Sequence, residues 1–193
     1  MRLFAALSPP APVVTALRSA REPGLRYAPE LRWTPPKEWH LTLAFLGEVP
    51  EDLLPGLTDA LGEAVGGRPP FPLTAEGWGA FPDPGHGPST VLWAGVGGDT
   101  SALADLAADL CDAAGITGGR AYVPHLTVAR SRPPRDVTEL LAELGEGPSV
   151  PWPAREVHLI ESRPGRKDRY RTVRTWALGW KADPGRTPER STA

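Results

Sequence analysis

The sequence predicts an α+β fold made of two similar strand–helix–strand halves. Three observations carry this reading. Alternating apolar strands outnumber helical stretches, the same order of elements recurs in the second half, and one short motif opens a strand in each half. Strand-rich halves with so few helices argue against one continuous parallel sheet.

The elements follow in order. Residues 2–7 read as an opening strand stopped at Ser8-Pro9-Pro10, with Ser8 placed to cap a helix and Pro9 to fill its first position. Val13, Val14 and Leu17 supply that helix with an apolar face. Residues 39–49 alternate with period two, which predicts Leu41, Leu43 and Phe45 on one face and His40, Thr42 and Ala44 on the other. Beyond Pro50, the spacing of Leu53, Leu57, Leu61 and Val65 predicts a helix ending at Gly66-Gly67. Residues 71–81 and 90–96 read as two strands around a Pro- and Gly-rich loop.

In the second half, Asp99 is placed to cap a helix whose buried stripe is Leu103, Leu106, Leu110 and Ala114. Residues 122–130 form another alternating strand. Asp136 and Glu139 resemble a capping box before Leu140, Leu141 and Leu144, with Gly145 as the stop. Residues 155–162 and 170–178 are the last two strands. Residues 1–180 are expected to form one bilobed domain, and residues 181–193, which lack periodicity, a disordered tail.

Composition narrows the class. A hydrophobic fraction of 40% and a charged fraction of 23% are ordinary for a globular chain. Cys111 is the one cysteine, which rules out an intramolecular disulfide framework and fits a reducing cytosol, so a cytoplasmic location is expected. No apolar run reaches the roughly 18 residues of a membrane span, and the stretch after Arg2 is too short for a signal peptide. The net charge of −2 is unevenly spread. Residues 48–115 hold eleven acids and one arginine, whereas residues 163–193 hold nine bases and three acids. An acidic protein of this kind can still carry one electropositive face.

The repeated motif carries the chemistry. His40-Leu41-Thr42-Leu43 returns as His125-Leu126-Thr127-Val128. On a strand, residues i and i+2 share a face. Each motif therefore presents an imidazole and a hydroxyl together, while Leu41/Leu43 and Leu126/Val128 anchor the opposite face. If the halves are related by pseudo-symmetry, the two pairs converge across a cleft. Two imidazoles can divide the roles of acid and base, and two hydroxyls can donate to phosphate oxygens. That set suits cleavage of a phosphate ester.

Other site classes fit poorly. The histidines and Cys111 show no zinc-type spacing. Gly95-Val96-Gly97-Gly98 lacks the full dinucleotide and P-loop patterns, and no Gly-x-Ser-x-Gly elbow occurs. His86 reads as a loop residue and His158 as a strand residue, neither with a role.

With its context, the motif pair resembles the 2H phosphoesterase superfamily, and within it the RNA 2′,3′-cyclic phosphodiesterase (2′-5′ RNA ligase-like) branch. The resemblance rests on Arg2-Leu3-Phe4-Ala5-Ala6-Leu7, on Trp33-Thr34-Pro35-Pro36 leading to His40-Leu41-Thr42-Leu43-Ala44-Phe45-Leu46-Gly47, and on Pro124-His125-Leu126-Thr127-Val128-Ala129-Arg130. Glu161-Ser162-Arg163 before Tyr170 fits the branch's last hairpin. It covers roughly residues 1–180. It implies two antiparallel sheets lining a central cleft with helices outside, and metal-independent chemistry without a cofactor. It also implies His40 as the acid on the 3′ oxygen, His125 as the base activating water, and Thr42 and Thr127 on the phosphoryl oxygens. The expected product is a 2′-phosphomonoester.

Arg130 is implied as a phosphate contact, yet it stands five residues after His125 and faces away on a regular strand. It reaches the cleft only if the strand ends or bulges near Ala129. Tyr27, Trp33, Phe81 and Tyr122 are candidates to stack on a base, and the bases between Arg163 and Arg174 could steer a polyanion. The expected partners are RNA with 2′,3′-cyclic phosphate ends or cyclic nucleotides, met by a monomer away from membranes. Two other readings are open. One keeps the fold and changes the substrate to 2′-5′ oligonucleotides, other small cyclic phosphates or reversible 2′-5′ ligation. The other is a noncatalytic RNA-end-binding module, against which the intact His and Thr of both motifs argue.

Overall fold

The computed structural model describes residues 1–117 and 121–179, so residues 181–193 lie outside it. Among the described residues there are nine strands: β1 (Arg2–Leu7), β2 (Arg32–Trp33), β3 (Leu41–Glu48), β4 (Phe71–Phe81), β5 (Ser89–Gly98), β6 (His125–Arg135), β7 (Ser149–Ala154), β8 (Glu156–Ser162) and β9 (Tyr170–Ala177). Among the same residues five α-helices join them: α1 (Ala11–Ala20), α2 (Glu22–Tyr27), α3 (Leu54–Val65), α4 (Thr100–Ala113) and α5 (Thr138–Leu144).

The strands pair antiparallel in the order β7-β4-β5-β6-β3-β1-β8-β9, with β2 added against β6. Two four-stranded lobes can be recognised, β7-β4-β5-β6 and β3-β1-β8-β9. They meet along β3 and β6 at one register pair, Leu41 opposite Leu126. Both leucines are fully buried, each worth about 1.5–3 kcal/mol of transfer free energy. The lobes are not the two halves of the chain, because the final hairpin β8–β9 crosses back to pair with β1.

One apolar core runs beneath both lobes, from Leu3, Leu7 and Leu41 through Leu73 and Leu126 to Leu159. The helices cross the seam to cover it. α4, which follows β5 of one lobe, packs on β3 of the other, and α1, which follows β1, packs on β7. A small separate cluster of Phe4, Ala6 and Ile160, with Tyr170 against it, lies on the opposite, concave face.

Several local features depart from the sequence pattern. α1 begins at Ala11 after an extended Pro10, with no side-chain cap, so Ser8 does not close it. Leu53 lies in a 3₁₀ turn and is 59% exposed, outside the buried stripe of α3. The Asp99 cap forms, accepting from the Ala102 amide. The capping box at α5 does not form. Asp136 accepts from the Thr138 amide, and Glu139 instead accepts from the Tyr27 hydroxyl of α2. The strand predicted from residue 122 starts at His125 and runs on to Arg135. Among the described residues, no helix is long and apolar enough to cross a membrane.

Candidate active site

β3 and β6 carry the two motifs, and each strand bulges at the motif's fourth residue. Against β1, Ala5 faces Ala44 and Ala6 faces Thr42, which leaves Leu43 as the extra residue. Against β5, Leu92 faces Ala129 and Trp93 faces Thr127, which leaves Val128. A bulge inverts the side-chain parity beyond it. Leu43 with Ala44, and Val128 with Ala129, are therefore buried in succession, and the residues after them turn to the concave face. Arg130 thus enters the cleft despite its spacing from His125. The same inversion overturns the expectation for Phe45, which is 72% exposed and lines the cleft rather than joining Leu41 and Leu43 in the core.

The two histidines are held in the same way. His40 Nδ1 lies 2.7 Å from the Glu38 carbonyl oxygen, and His125 Nδ1 lies 2.7 Å from the Val123 carbonyl oxygen. A carbonyl oxygen only accepts, so each Nδ1 carries a hydrogen and each Nε2 is left to exchange a proton with a ligand. Aromatic walls fix the ring planes. His40 stands 4.8 Å from the Phe4 ring and edge-on to Tyr170 at 5.1 Å. His125 stands edge-on to Phe81 at 5.0 Å, with Trp93 at 6.1 Å. Trp93 lies across β4 because Gly79 has no Cβ, which would otherwise sit 2.2 Å from the indole.

These surroundings also set the charge. Burial pushes His40 down to about 4, and the nearby Arg130, His125 and Arg169 push the same way, against the Glu38 carbonyl. Burial lowers His125 as well, with Arg130 adding to it. Both rings are thereby biased toward the neutral form, and a bound anion would favour a proton on either of them.

Two contiguous cavities of about 680 and 1050 Å³ form the cleft. His40, Thr127, Arg130, Arg169 and Tyr170 line both, while Thr42 and His125 line the larger. Arg169 belongs to the basic stretch between Arg163 and Arg174. It comes from the loop between β8 and β9, and its guanidinium lies over Tyr170 at 5.2 Å and 4.0 Å from the Glu38 carboxylate. Lys37 and Asp168, 3.9 Å apart, pin the same loop to the turn before His40. Arg163 and Arg171 both pair with Glu161.

One stacking candidate, Trp33, lines the cleft, and the other three take other places. Tyr27 bonds Glu139, Trp33 lines the smaller cavity with its indole nitrogen donating to Ala28, Phe81 supports His125, and the Tyr122 hydroxyl donates to the Thr42 carbonyl. His86 is exposed beside Asp83, and His158 bonds Thr175. Among the described residues, no three of His, Cys, Asp and Glu are grouped as metal ligands would be.

Matched His-x-Thr strands from two pseudo-symmetric lobes, facing one cationic cleft, define the architecture of a 2H phosphoesterase. Residues 8–166 match the family model of the 2'-5' RNA ligase superfamily, and the chain belongs to that superfamily. It is 32% identical over 120 residues to an RNA 2',3'-cyclic phosphodiesterase of Methanothermobacter thermautotrophicus, covering 61% of this chain and 64% of the relative. A relative of the same name from Archaeoglobus fulgidus is 37% identical over 97 residues, covering 49% and 53%. The chain thus matches between half and two thirds of the length of these curated relatives. Among solved structures it is similar to TT0787 of Thermus thermophilus, with a TM-score of 0.74 and 27% identity over 94% of this chain and all of that one. Escherichia coli LigT in complex with 3'-AMP gives a TM-score of 0.72 at 27% identity, covering 92% of this chain and 97% of that one.

Proposed function

We propose that the chain hydrolyses the 2′,3′-cyclic phosphate ends of RNA or nucleotides to 2′-phosphomonoesters, by acid and base catalysis from His40 and His125 and without a metal ion. The observation that carries this reading is the equivalence of the two histidines. Both have Nδ1 pinned to a carbonyl, and both open with a threonine onto one cleft that contains Arg130. The names of the relatives point to the same substrate class.

In the reaction, His125 Nε2 takes a proton from water as its oxygen attacks phosphorus. The P–O3′ bond breaks and His40 Nε2 delivers its proton to O3′. Water is added across the bond, leaving a 2′-phosphate and a free 3′-hydroxyl. Arg130 and the hydroxyls of Thr42 and Thr127 donate to the non-bridging oxygens as their charge rises. The depressed pKa of His40 suits it to this role, because the ring holds its proton once the substrate's anion is seated and gives it up readily.

The test is incubation with a 2′,3′-cyclic nucleotide in EDTA, followed by identification of the product. Turnover to the 2′-phosphate is expected. A 3′-phosphate would overturn the leaving-group assignment, and absence of turnover would overturn the reading as a whole.

A pH profile follows from the two depressed pKa values. Activity requires one ring protonated and the other neutral. Well above 6.5 both are neutral, and His40 gains its proton only as the pH falls toward about 4. The optimum of kcat/KM, which reports the free enzyme, is therefore expected on the acid side of the ordinary histidine value of 6.5, with about a tenfold fall per pH unit on the alkaline side. The two limbs belong to the coupled pair, so the profile is the same whichever ring donates. An optimum at or above pH 7.5 would count against it.

A further inference from the structure

Each motif is preceded by a segment that reaches across the seam, and the two segments are fastened differently. The segment before His40 uses backbone: β2 pairs with β6, and the Thr34 amide donates to the Val128 carbonyl of the second motif at 2.8 Å. The segment before His125, residues 121–124, forms no strand. Its bond to the first motif comes from a side chain. The Tyr122 hydroxyl donates to the Thr42 carbonyl at 3.0 Å, across 80 residues of chain.

That bond falls where β3 is least supported. β3 meets β6 at Leu41 alone, and the bulge at Leu43 interrupts its pairing with β1. An interrupted ladder leaves the backbone beside it held by fewer bonds. Thr42 lies between these two points and lines the larger cavity together with His125. Tyr122 lines neither cavity, and its ring packs against the main core. The next residue, Val123, holds His125 Nδ1 through its carbonyl. One short segment thus holds the base histidine by a backbone carbonyl and the facing threonine by a phenol. Burial raises the phenol above its ordinary pKa, so it remains a neutral donor wherever the histidines titrate. Phenylalanine would fill the same place in the core, so packing does not account for the hydroxyl.

We propose that Tyr122 is a positioning residue whose hydroxyl fixes Thr42 relative to His125, so that the Thr42 hydroxyl meets the phosphoryl oxygens as the base delivers water. This rests on the proposed cyclic phosphodiesterase reading. Tyr122 acts through Thr42 and not on the substrate.

The test compares the full chain with Tyr122→Phe, Thr42→Ala and the double variant, with 2′,3′-cyclic AMP as substrate. A displacement of about 1 Å can cost on the order of 100-fold in rate, so kcat in Tyr122→Phe is expected to fall roughly 10–100-fold with KM changed little. Thr42→Ala removes the hydroxyl and keeps the carbonyl that Tyr122 holds. Adding Tyr122→Phe to Thr42→Ala is therefore expected to lower kcat no further. Tyr122→4-aminophenylalanine, which restores a donor, is expected to recover most of the loss. Tyr27→Phe removes a phenol bonded to Glu139 outside the cleft and serves as the unchanged control. Full kcat in Tyr122→Phe would overturn the proposal, and so would losses that multiply in the double variant. A lower urea midpoint with kcat of the folded enzyme unchanged would mark a purely structural role and overturn it as well. If wild type turns over no cyclic nucleotide, the function reading fails on its own. The amide NMR signals of Thr42 and Leu43 then decide for or against the tie. Tyr122→Phe is expected to shift them and to leave that of the exposed His86 in place, and unmoved signals would overturn it.

Discussion

Replacing His125 with alanine is expected to lower kcat on a 2′,3′-cyclic nucleotide by roughly 10²–10⁴-fold, the usual contribution of a positioned acid or base. His40→Ala is expected to lose as much on that substrate. The two variants separate when the leaving group needs no proton. On a p-nitrophenyl phosphodiester, whose phenolate leaves unaided, His40→Ala is expected to recover most of its activity and His125→Ala to remain impaired. The reverse pattern would exchange the two roles, and unimpaired turnover by the doubly substituted protein would remove both residues from the chemistry. Circular dichroism and thermal unfolding establish that the variants fold. Each ring rests against aromatic side chains, so some loss of stability accompanies the change.

The second large effect concerns the seam between the lobes. Leu41 is fully buried and supplies one side of the single register pair joining β3 to β6. Leu41→Ala is expected to destabilise the fold by about 2–5 kcal/mol, read as a lower urea midpoint. At this chain length, each kcal/mol lowers Tm by about 2–4 °C. Because Leu41 sits between His40 and Thr42, the cavity it leaves lets the motif strand shift, and kcat of the folded enzyme is expected to fall too. Leu61→Ala on α3 removes an equally buried side chain away from the motif strands. It is expected to lose similar stability while keeping kcat. Equal kcat in both variants would show that the seam does not position the site.

Much of this was legible because one face of nearly every strand is buried. Alternation located β3 and the first part of β6; β1, β4, β5, β8 and β9 were also read as strands, and the echoed His-x-Thr marked the strands that meet. The bulges were harder, since they are a property of backbone pairing rather than of side-chain type. A trace of them exists in the sequence. Leu43-Ala44 and Val128-Ala129 put two apolar residues in succession after each motif, where strict alternation asks for a change of face. Taken at face value, that doublet would have turned Phe45 and Arg130 toward the cleft. Other features were hidden for other reasons. β7 contains Pro151 and Pro153, which argue against a central strand, and it survives because it is the sheet's edge, pairing on one side with β4. α2 is a six-residue helix containing Pro23 and Gly24, below what periodicity resolves. Arg169 reaches His40 through a hairpin that closes on the first strand, and no local pattern announces such a long-range return.

The crossing of α1 and α4 beneath the seam bears on how a ligand enters. A two-lobed protein invites the image of a jaw that swings shut around its prey. Here each lobe is strapped to a helix that follows a strand of the other, α4 on β3 and α1 on β7. A swinging motion would shear both straps and wet leucines of the shared interior. The two straps thus oppose a change in the gap between the histidines. In the proposed reaction the entropy of orienting the two histidines is met by folding rather than by closure around each substrate.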